Sequence, residues 1–216
     1  MTHQQLTLLN DSASSPDWRN IAGVDEVGRG ALFGPVVAAA VVLPTSAVEP
    51  LLKHGVTDSK RLSAERRSQL TLDIRQVAIA CEIGVASVYE IDRLNILQAS
   101  LLAMKRAIVR IQPPPALCLI DGNRPIPDLW LPQQTIVKGD QSCIAIAAAS
   151  IVAKVWRDAL INRLDQHYPG YDLTSNKGYG TANHRQAIQH LGVSRQHRRS
   201  FSPCQVNHSN RISKTS

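Results

Sequence analysis

Four carboxylates stand where the chain leaves an apolar run, the place where a sheet presents its strand ends to solvent. Asp25 and Glu26 follow Ile21–Val24 and lead into Val27-Gly28-Arg29-Gly30. Asp121 follows Leu117-Cys118-Leu119-Ile120 and precedes Gly122-Asn123, and Asp140 lies in Lys138-Gly139-Asp140-Gln141-Ser142 ahead of a long Ala-rich stretch. In open α/β sheets ligands collect outside the carboxyl ends of the strands. Neighbouring side chains of a strand point to opposite faces, so Asp25 and Glu26 share a site only if the strand bends or ends there. Gly28 and Gly30 permit such a bend and let backbone N–H groups approach a ligand, while Arg29 adds positive charge near any phosphate. Each segment also has a plain structural reading. The hexapeptide reads as a charged surface turn, Asp121-Gly122 as a turn, and Asp140 as a helix N-cap.

Taken together, the four acids come from three segments that can converge at one edge of a sheet. Hard oxygen donors without a His or Cys cluster favour Mg2+ or Mn2+ over zinc. Asp158 does not belong with them. It stands eighteen residues beyond Asp140, which on a helix is roughly 27 Å, too far to share metals about 4 Å apart. It reads instead as the i, i+4 partner of Lys154.

Charge supplies a second pointer. The formal net charge is +7, yet residues 1–172 hold 17 basic and 17 acidic side chains, and everything after Asp172 holds seven basic and no acidic ones. A block of this kind, with Lys177, Arg185, Arg195, Arg198 and Arg199 interleaved with His184 and His197, suits a polyanion, although a merely solvated basic face has the same composition. A carboxylate metal site beside a nucleic-acid-like charge excess suggests phosphodiester hydrolysis. The four cysteines lie far apart without a CxxC pair, so they read as reduced thiols. No stretch has the length of a membrane span, and the N-terminus lacks the order of a signal peptide, which gives a cytoplasmic expectation.

The elements that must position these residues follow from periodicity. Ile21–Val24 and Val36–Leu43 read as a strand hairpin, and Ser63 caps a helix over Ala64–Val77. A strand is expected over Ala80–Val88, a helix over Leu94–Ile111, and short strands over Ala116–Ile120 and Gln134–Val137. Ile144–Leu164 should be a long helix lying close on the sheet, because its alanines permit close approach. The pattern predicts an α/β fold, a mixed five-stranded sheet flanked by helices with a basic, partly helical C-terminal appendage. Residues 1–16 read as a loose arm, 17–203 as the folded domain, and 204–216 as a flexible tail.

At these residues the sequence resembles the bacterial ribonuclease HII family. DEVGRGALFGPVVAAAVVLP, TDSKRLS, LIDGN, IVKGDQSCIAIAAASIVAKVWRD, YPGYDLTSNKGYGTANH and HRRSFSP each match a family segment in the family's order, across most of residues 21–203. The resemblance implies a ribonuclease H-like fold acting as a monomer on RNA–DNA hybrids and on DNA duplexes containing ribonucleotides. It implies endonucleolytic hydrolysis by two-metal-ion catalysis, leaving a 5′-phosphate and a 3′-hydroxyl. Asp25, Glu26, Asp121 and Asp140 fall on the family's four acidic positions, which hold Mn2+ or Mg2+. Gly28, Arg29 and Gly30 match the motif that reads the ribose 2′-hydroxyl. Tyr179 matches the tyrosine lying against the nucleotide at the ribose–deoxyribose junction. Asp58-Ser59-Lys60 resembles a phosphate-contacting loop with Lys60 as the contact and Asp58 as a turn former, and Lys138, Lys177, His184 and Arg198 are further expected phosphate contacts. The tail matches nothing in the family, so a sliding-clamp partner is left without support. Two rival readings are a structure-selective DNA endonuclease on a similar fold and an inactive nucleic-acid-binding homologue. The GRG and KGYGT matches oppose the first, and the presence of all four acids opposes the second.

Overall fold

A computed structural model describes residues 20–57 and 59–205. The arm over residues 1–16, Asp58 and most of the tail therefore lie outside the described residues. Seven-residue strands β1 (Ile21–Val27) and β2 (Val36–Val42), built on the apolar runs Ile21–Val24 and Val36–Val42, pair antiparallel as the hairpin pattern predicts. β3 (Ala80–Ala86) adds antiparallel to β2, while β4 (Leu117–Asp121) and β5 (Gln133–Ile136) add in parallel on the other side. The sheet is five-stranded and mixed, in the order β3-β2-β1-β4-β5.

Between the strands run α1 (Thr45–Lys53), α2 (Ala64–Val77), α3 (Val88–Leu94) and α4 (Ile96–Ile108). After β5 come α5 (Gly139–Ser142), α6 (Ile144–Asp165), α7 (Leu173–Asn176) and α8 (Ala182–Leu191). α4 covers one face of the sheet, burying Ala99, Ala103, Met104 and Ala107 against Val24, Ala38 and Ala40. α6 covers the other, with Ala147–Ala149 and Val152 against Ala39 and Val41. Small side chains let α6 ride on β1 backbone to backbone, since a Cβ added at Gly23 would meet the Ala145 carbonyl carbon at 2.1 Å. None of the helices among the described residues is long and apolar enough to cross a membrane.

Three stretches differ from expectation. The helix expected over Leu94–Ile111 runs from Ile96 to Ile108 as α4, because Asn95 takes φ 73° and caps it by accepting the Gln98 N–H at 3.1 Å. α3 starts from a capping box between Ser87 and Glu90, which ends β3 before Val88. α1 went unforeseen because Pro50 sits inside it, where a missing N–H argues against a helix. The burial of Ala47 and Leu51, four residues apart, holds it to the core nonetheless.

The C-terminal appendage is not loosely attached. Leu32 and Phe33, from the turn between β1 and β2, pack with Ile161 of α6, Tyr171, Leu173, Ile188 and Cys204 in a core of their own. Cys204 is 3% exposed, so the packed chain extends past the boundary expected at residue 203.

Candidate active site

Register decides which acids meet. β1 and β4 pair in parallel only as far as Val24 and Ile120. Asp25 and Asp121 are the next residues on each strand, side by side just past the point where the two strands part. Both point to the α6 face, as Ala39 opposite Asp25 does. Glu26, one residue on, points to the α4 face with Ala38 and reaches the same place around the strand end. Oxygens of Asp25, Glu26 and Asp121 all lie within 4.8 Å of one another. The strand end thus supplies what alternation alone would forbid.

Asp140 stands apart from this trio. It lies in the first turn of α5, 5% exposed, and Lys60 reaches it at 3.3 Å. It is not the N-cap of the long helix, whose cap is Cys143. The same turn serves Asp121 through its backbone, the Gly139 N–H donating to Asp121 Oδ1 at 2.7 Å.

Clustering leaves the acids under strain. Burial raises the Asp25 carboxyl well above its ordinary range, and the charges of Glu26 and Asp121 push it further. Burial raises Glu26 too, opposed by Arg29 at 3.1 Å. Asp121 is raised by burial, with the Gly139 N–H working the other way. Crowded carboxylates with too few positive neighbours are the environment a divalent cation relieves, and an all-oxygen donor set fits a hard ion. Asp25, Glu26 and Asp121 therefore fit such an ion, with Asp140 at the margin.

Around the acids lies a hollow of about 550 Å3. Gly28, Arg29, Gly30, Ser59, Lys60 and Tyr179 line it, joined by Ser150 and Lys154, neither of which had a place in the site from sequence alone. Ser150, on α6, bonds to the Asp25 carboxylate and lies 2.9 Å from the Ser59 hydroxyl. Lys154 pairs with Asp158 at 2.9 Å as predicted, and its ammonium also stands 5.8 Å from the centre of the Tyr179 ring.

Four expected phosphate contacts do not line this hollow. Lys138 is exposed elsewhere, in a left-handed backbone conformation. The Lys177 ammonium is bonded to Asn162 Oδ1 at 2.6 Å and to the Thr174 carbonyl. His184 and Arg198 are fully buried and so are corrected outright, because neither presents a polar atom to solvent. His184 Nδ1 lies 2.9 Å from the Tyr179 carbonyl and must donate to it, leaving Nε2 to accept from His197 Nε2 at 3.1 Å. His197 Nδ1 then accepts from the Ser194 N–H. This proton order requires two neutral rings, in accord with burial holding both below the usual histidine range, His197 at about 4. Among the described residues of the C-terminal block, the exposed arginines are Arg185, Arg195 and Arg199.

Two buried arginines carry the loops that line the hollow. Arg157 of α6, fully buried, donates to the carbonyls of Pro35 at 3.1 Å, Lys177 at 2.9 Å and Phe33 at 2.9 Å. Arg198 donates to Gly34 at 3.0 Å and Arg29 at 2.8 Å. Burial lowers both, Arg198 to about 9. Gly28, at φ 93°, has to be glycine, since a Cβ there would lie 2.2 Å from Arg157 Nε. Arg157 was visible in the sequence only as one charge in an Ala-rich helix.

Comparison with known proteins places this geometry. A family model described as Ribonuclease HII matches residues 22–204. A curated relative named Ribonuclease HII from Acaryochloris marina is 67% identical over 186 residues, 86% of this chain and 94% of the relative. Among solved structures, the ribonuclease H2 of Pyrococcus horikoshii superposes with a TM-score of 0.71 at 25% identity, covering 86% of this chain and 95% of its own. The RNase HII in a complex with PCNA from Archaeoglobus fulgidus gives a TM-score of 0.69 at 28% identity, covering 82% and 91%.

Proposed function

The chain belongs to the ribonuclease HII family, and from that premise we propose that its acid cluster cuts the RNA strand of hybrids and the phosphodiester 5′ of single ribonucleotides embedded in duplex DNA. That it is a metal-dependent endoribonuclease of the RNA–DNA hybrid class follows from the family. The finer reading rests above all on one observation. The trio of carboxylates lies in one hollow with the Gly28–Gly30 loop and Tyr179, so the cutting site and the sugar-inspecting site are the same space.

Asp25, Glu26 and Asp121, with Asp140 beside them, would hold two divalent ions, Mn2+ or Mg2+, which supply Lewis-acid activation of water and stabilisation of the leaving 3′-oxygen. Products would carry a 5′-phosphate and a 3′-hydroxyl. The chain's own groups do the rest. Ser150 and the Gly139 N–H orient Asp25 and Asp121. Lys60 and Lys154, both lining the hollow, offer positive charge to the phosphates flanking the cut. The backbone of Gly28–Gly30, anchored through the Arg29 carbonyl to Arg198, meets the 2′-hydroxyl, which is what tells RNA from DNA at a site. Tyr179 packs its ring on the neighbouring sugar, fixed from behind by the Arg157 guanidinium 5.6 Å from its centre.

The protein would act as a monomer. A homologue's complex with PCNA raises a sliding clamp as a partner for this chain as well. The test is incubation of a labelled duplex containing one ribonucleotide, beside an all-DNA duplex, with Mn2+ or Mg2+ and with chelator. One cut 5′ of the ribonucleotide, lost with chelator, is the expected result. Equal cutting of the all-DNA duplex, or none of either, would overturn the reading.

A further inference from the structure

The acids have a hollow on each face of the sheet end. The first, described above, lies toward α6 with Ser150 and Lys154. A second, of about 230 Å3, lies toward α4 and shares Glu26, Arg29 and Asp121 with the first. Its floor is Leu97, Leu101 and Met104 of α4, and its rim is Asn123 and Arg124, which follow β4 and are exposed.

Ser100 lies in that floor. It is 2% exposed, and its hydroxyl has no hydrogen-bond partner among the described residues. A buried hydroxyl without a partner costs on the order of 1–3 kcal/mol. A helical serine ordinarily avoids this by bonding the carbonyl four residues back, and Ser100 does not. Alanine at this place would fill the helix without cost. Ser100 instead lies in the floor of a hollow that also contains Glu26 and Asp121, with its hydroxyl just beneath the surface.

A strand cleaved between Glu26 and Asp121 must run on past them in both directions. The first hollow receives the nucleotide inspected by Gly28–Gly30. The second, smaller than the roughly 300–1,000 Å3 of pockets that engulf a whole ligand, has room for one sugar–phosphate unit. We propose that it is the subsite for the nucleotide across the scissile bond, where the Ser100 hydroxyl and the Asn123 amide meet the 2′-hydroxyl edge of its sugar and Arg124 meets its phosphate. The apolar floor packs against the sugar ring. Occupied by a ribose, the hollow satisfies Ser100; occupied by a deoxyribose, it does not. It thereby sets the balance between continuous hybrids and isolated ribonucleotides. This rests on the proposed cleavage reaction, and the substrates below separate the two.

Two duplexes decide it. One carries a single ribonucleotide, and the other carries two in a row, with the scored bond between them. The parent protein should cut the second with the lower KM. Ser100→Ala should lose that preference by about five- to tenfold, as expected for one hydrogen bond to a hydroxyl with some packing. It should bind Mn2+ as tightly as the parent and melt at the same or a higher temperature, a readout that a structural role for the hydroxyl would move the other way. Asn123→Ala, on an exposed loop, should reduce the same preference, and Arg124→Ala should raise KM for both duplexes. A parental protein without the preference, or a preference unchanged in both Ser100→Ala and Asn123→Ala, overturns the subsite. Failure of the parent to cut either duplex overturns the reaction instead.

Discussion

Replacing Arg157 with lysine keeps the charge and most of the length of the side chain and removes its fork. The guanidinium is fully buried and makes three bonds of 2.9–3.1 Å, to carbonyls of Phe33, Pro35 and Lys177. Hydrogen bonds from a charged donor contribute about 1.5–3 kcal/mol each, and an ammonium on a single point cannot span three carbonyls fixed by a planar group. One or two carbonyls are left unpaired, so we expect Arg157→Lys to lose about 3 kcal/mol. Against a total of roughly 5–15 kcal/mol the protein stays folded at 25 °C. The melting temperature should fall by roughly 6–12 °C. Because the lost bonds tie the Phe33–Pro35 turn to the loop carrying Tyr179, both walls of the first hollow shift. A displacement near 1 Å of positioning groups costs on the order of a hundredfold in rate. Urea denaturation and single-turnover cleavage of a single-ribonucleotide duplex measure the two effects, with Mn2+ titrated by calorimetry as the control. Affinity for Mn2+ should hold, since Arg157 touches none of the four acids. Gly28→Ala should produce the same pair of defects by pressing on Arg157 Nε. If Arg157→Lys keeps its stability within about 1 kcal/mol and its rate within about twofold, the arginine does not hold the loops and the reasoning fails.

Three further outcomes are expected. Asp25→Asn or Asp121→Asn should abolish cleavage while raising the melting temperature of the metal-free protein. The folded state holds these protons more tightly than the unfolded chain, so their contribution to the parent's stability is greatest below a carboxylate pKa of about 4 and declines as pH rises through the raised folded values, a decline that asparagine blunts. Melts from pH 4 to 8 with and without Mn2+ test this, and a lower melting temperature for either variant at pH 7 without metal would count against it. Tyr179→Ala should slow cleavage strongly and Tyr179→Phe mildly, with metal affinity unchanged and no cutting of all-DNA duplex, measured by single-turnover rates beside a metal titration. Reversing Arg185, Arg195 and Arg199 to glutamate should weaken hybrid binding and flatten its dependence on salt, by about 0.9 in the logarithmic slope for each phosphate no longer neutralised; an unchanged slope would make them solvated charges only.

The expectation that Lys177, His184 and Arg198 grip phosphate illustrates how composition misleads. The acid-free block after Asp172 reads as a positive surface because sequence counts charges without their burial. Arg198 and His184 lie inside, with Arg198 Nε and Nη1 bonded to backbone carbonyls and His184 bonded to the Tyr179 carbonyl and to His197. Lys177 is turned to α6. Local signals were more faithful. The Ser63 cap placed the start of α2 at Ala64, where it is found, because a cap is a bond between residues three apart and needs no tertiary partner. Asn95 caps α4 in the same local way, one residue inside the start expected at Leu94.

The strands, their order of appearance and the family were legible in the chain alone, since each is written in short stretches whose periodicity and residue types act locally or are matched segment by segment. Nothing in those stretches says that Asp25 and Asp121 end side by side with Glu26 reaching round from the other face. That depends on β1 and β4 separating after Val24 and Ile120, a matter of register between strands more than ninety residues apart. Nor do they reveal that Arg157 and Arg198 are internal struts, or that the Ser100 hydroxyl lies buried below the acids with no hydrogen-bond partner among the described residues. Burial and hydrogen-bond satisfaction are properties of a packed volume, and a residue's neighbours in that volume are chosen by the whole chain at once.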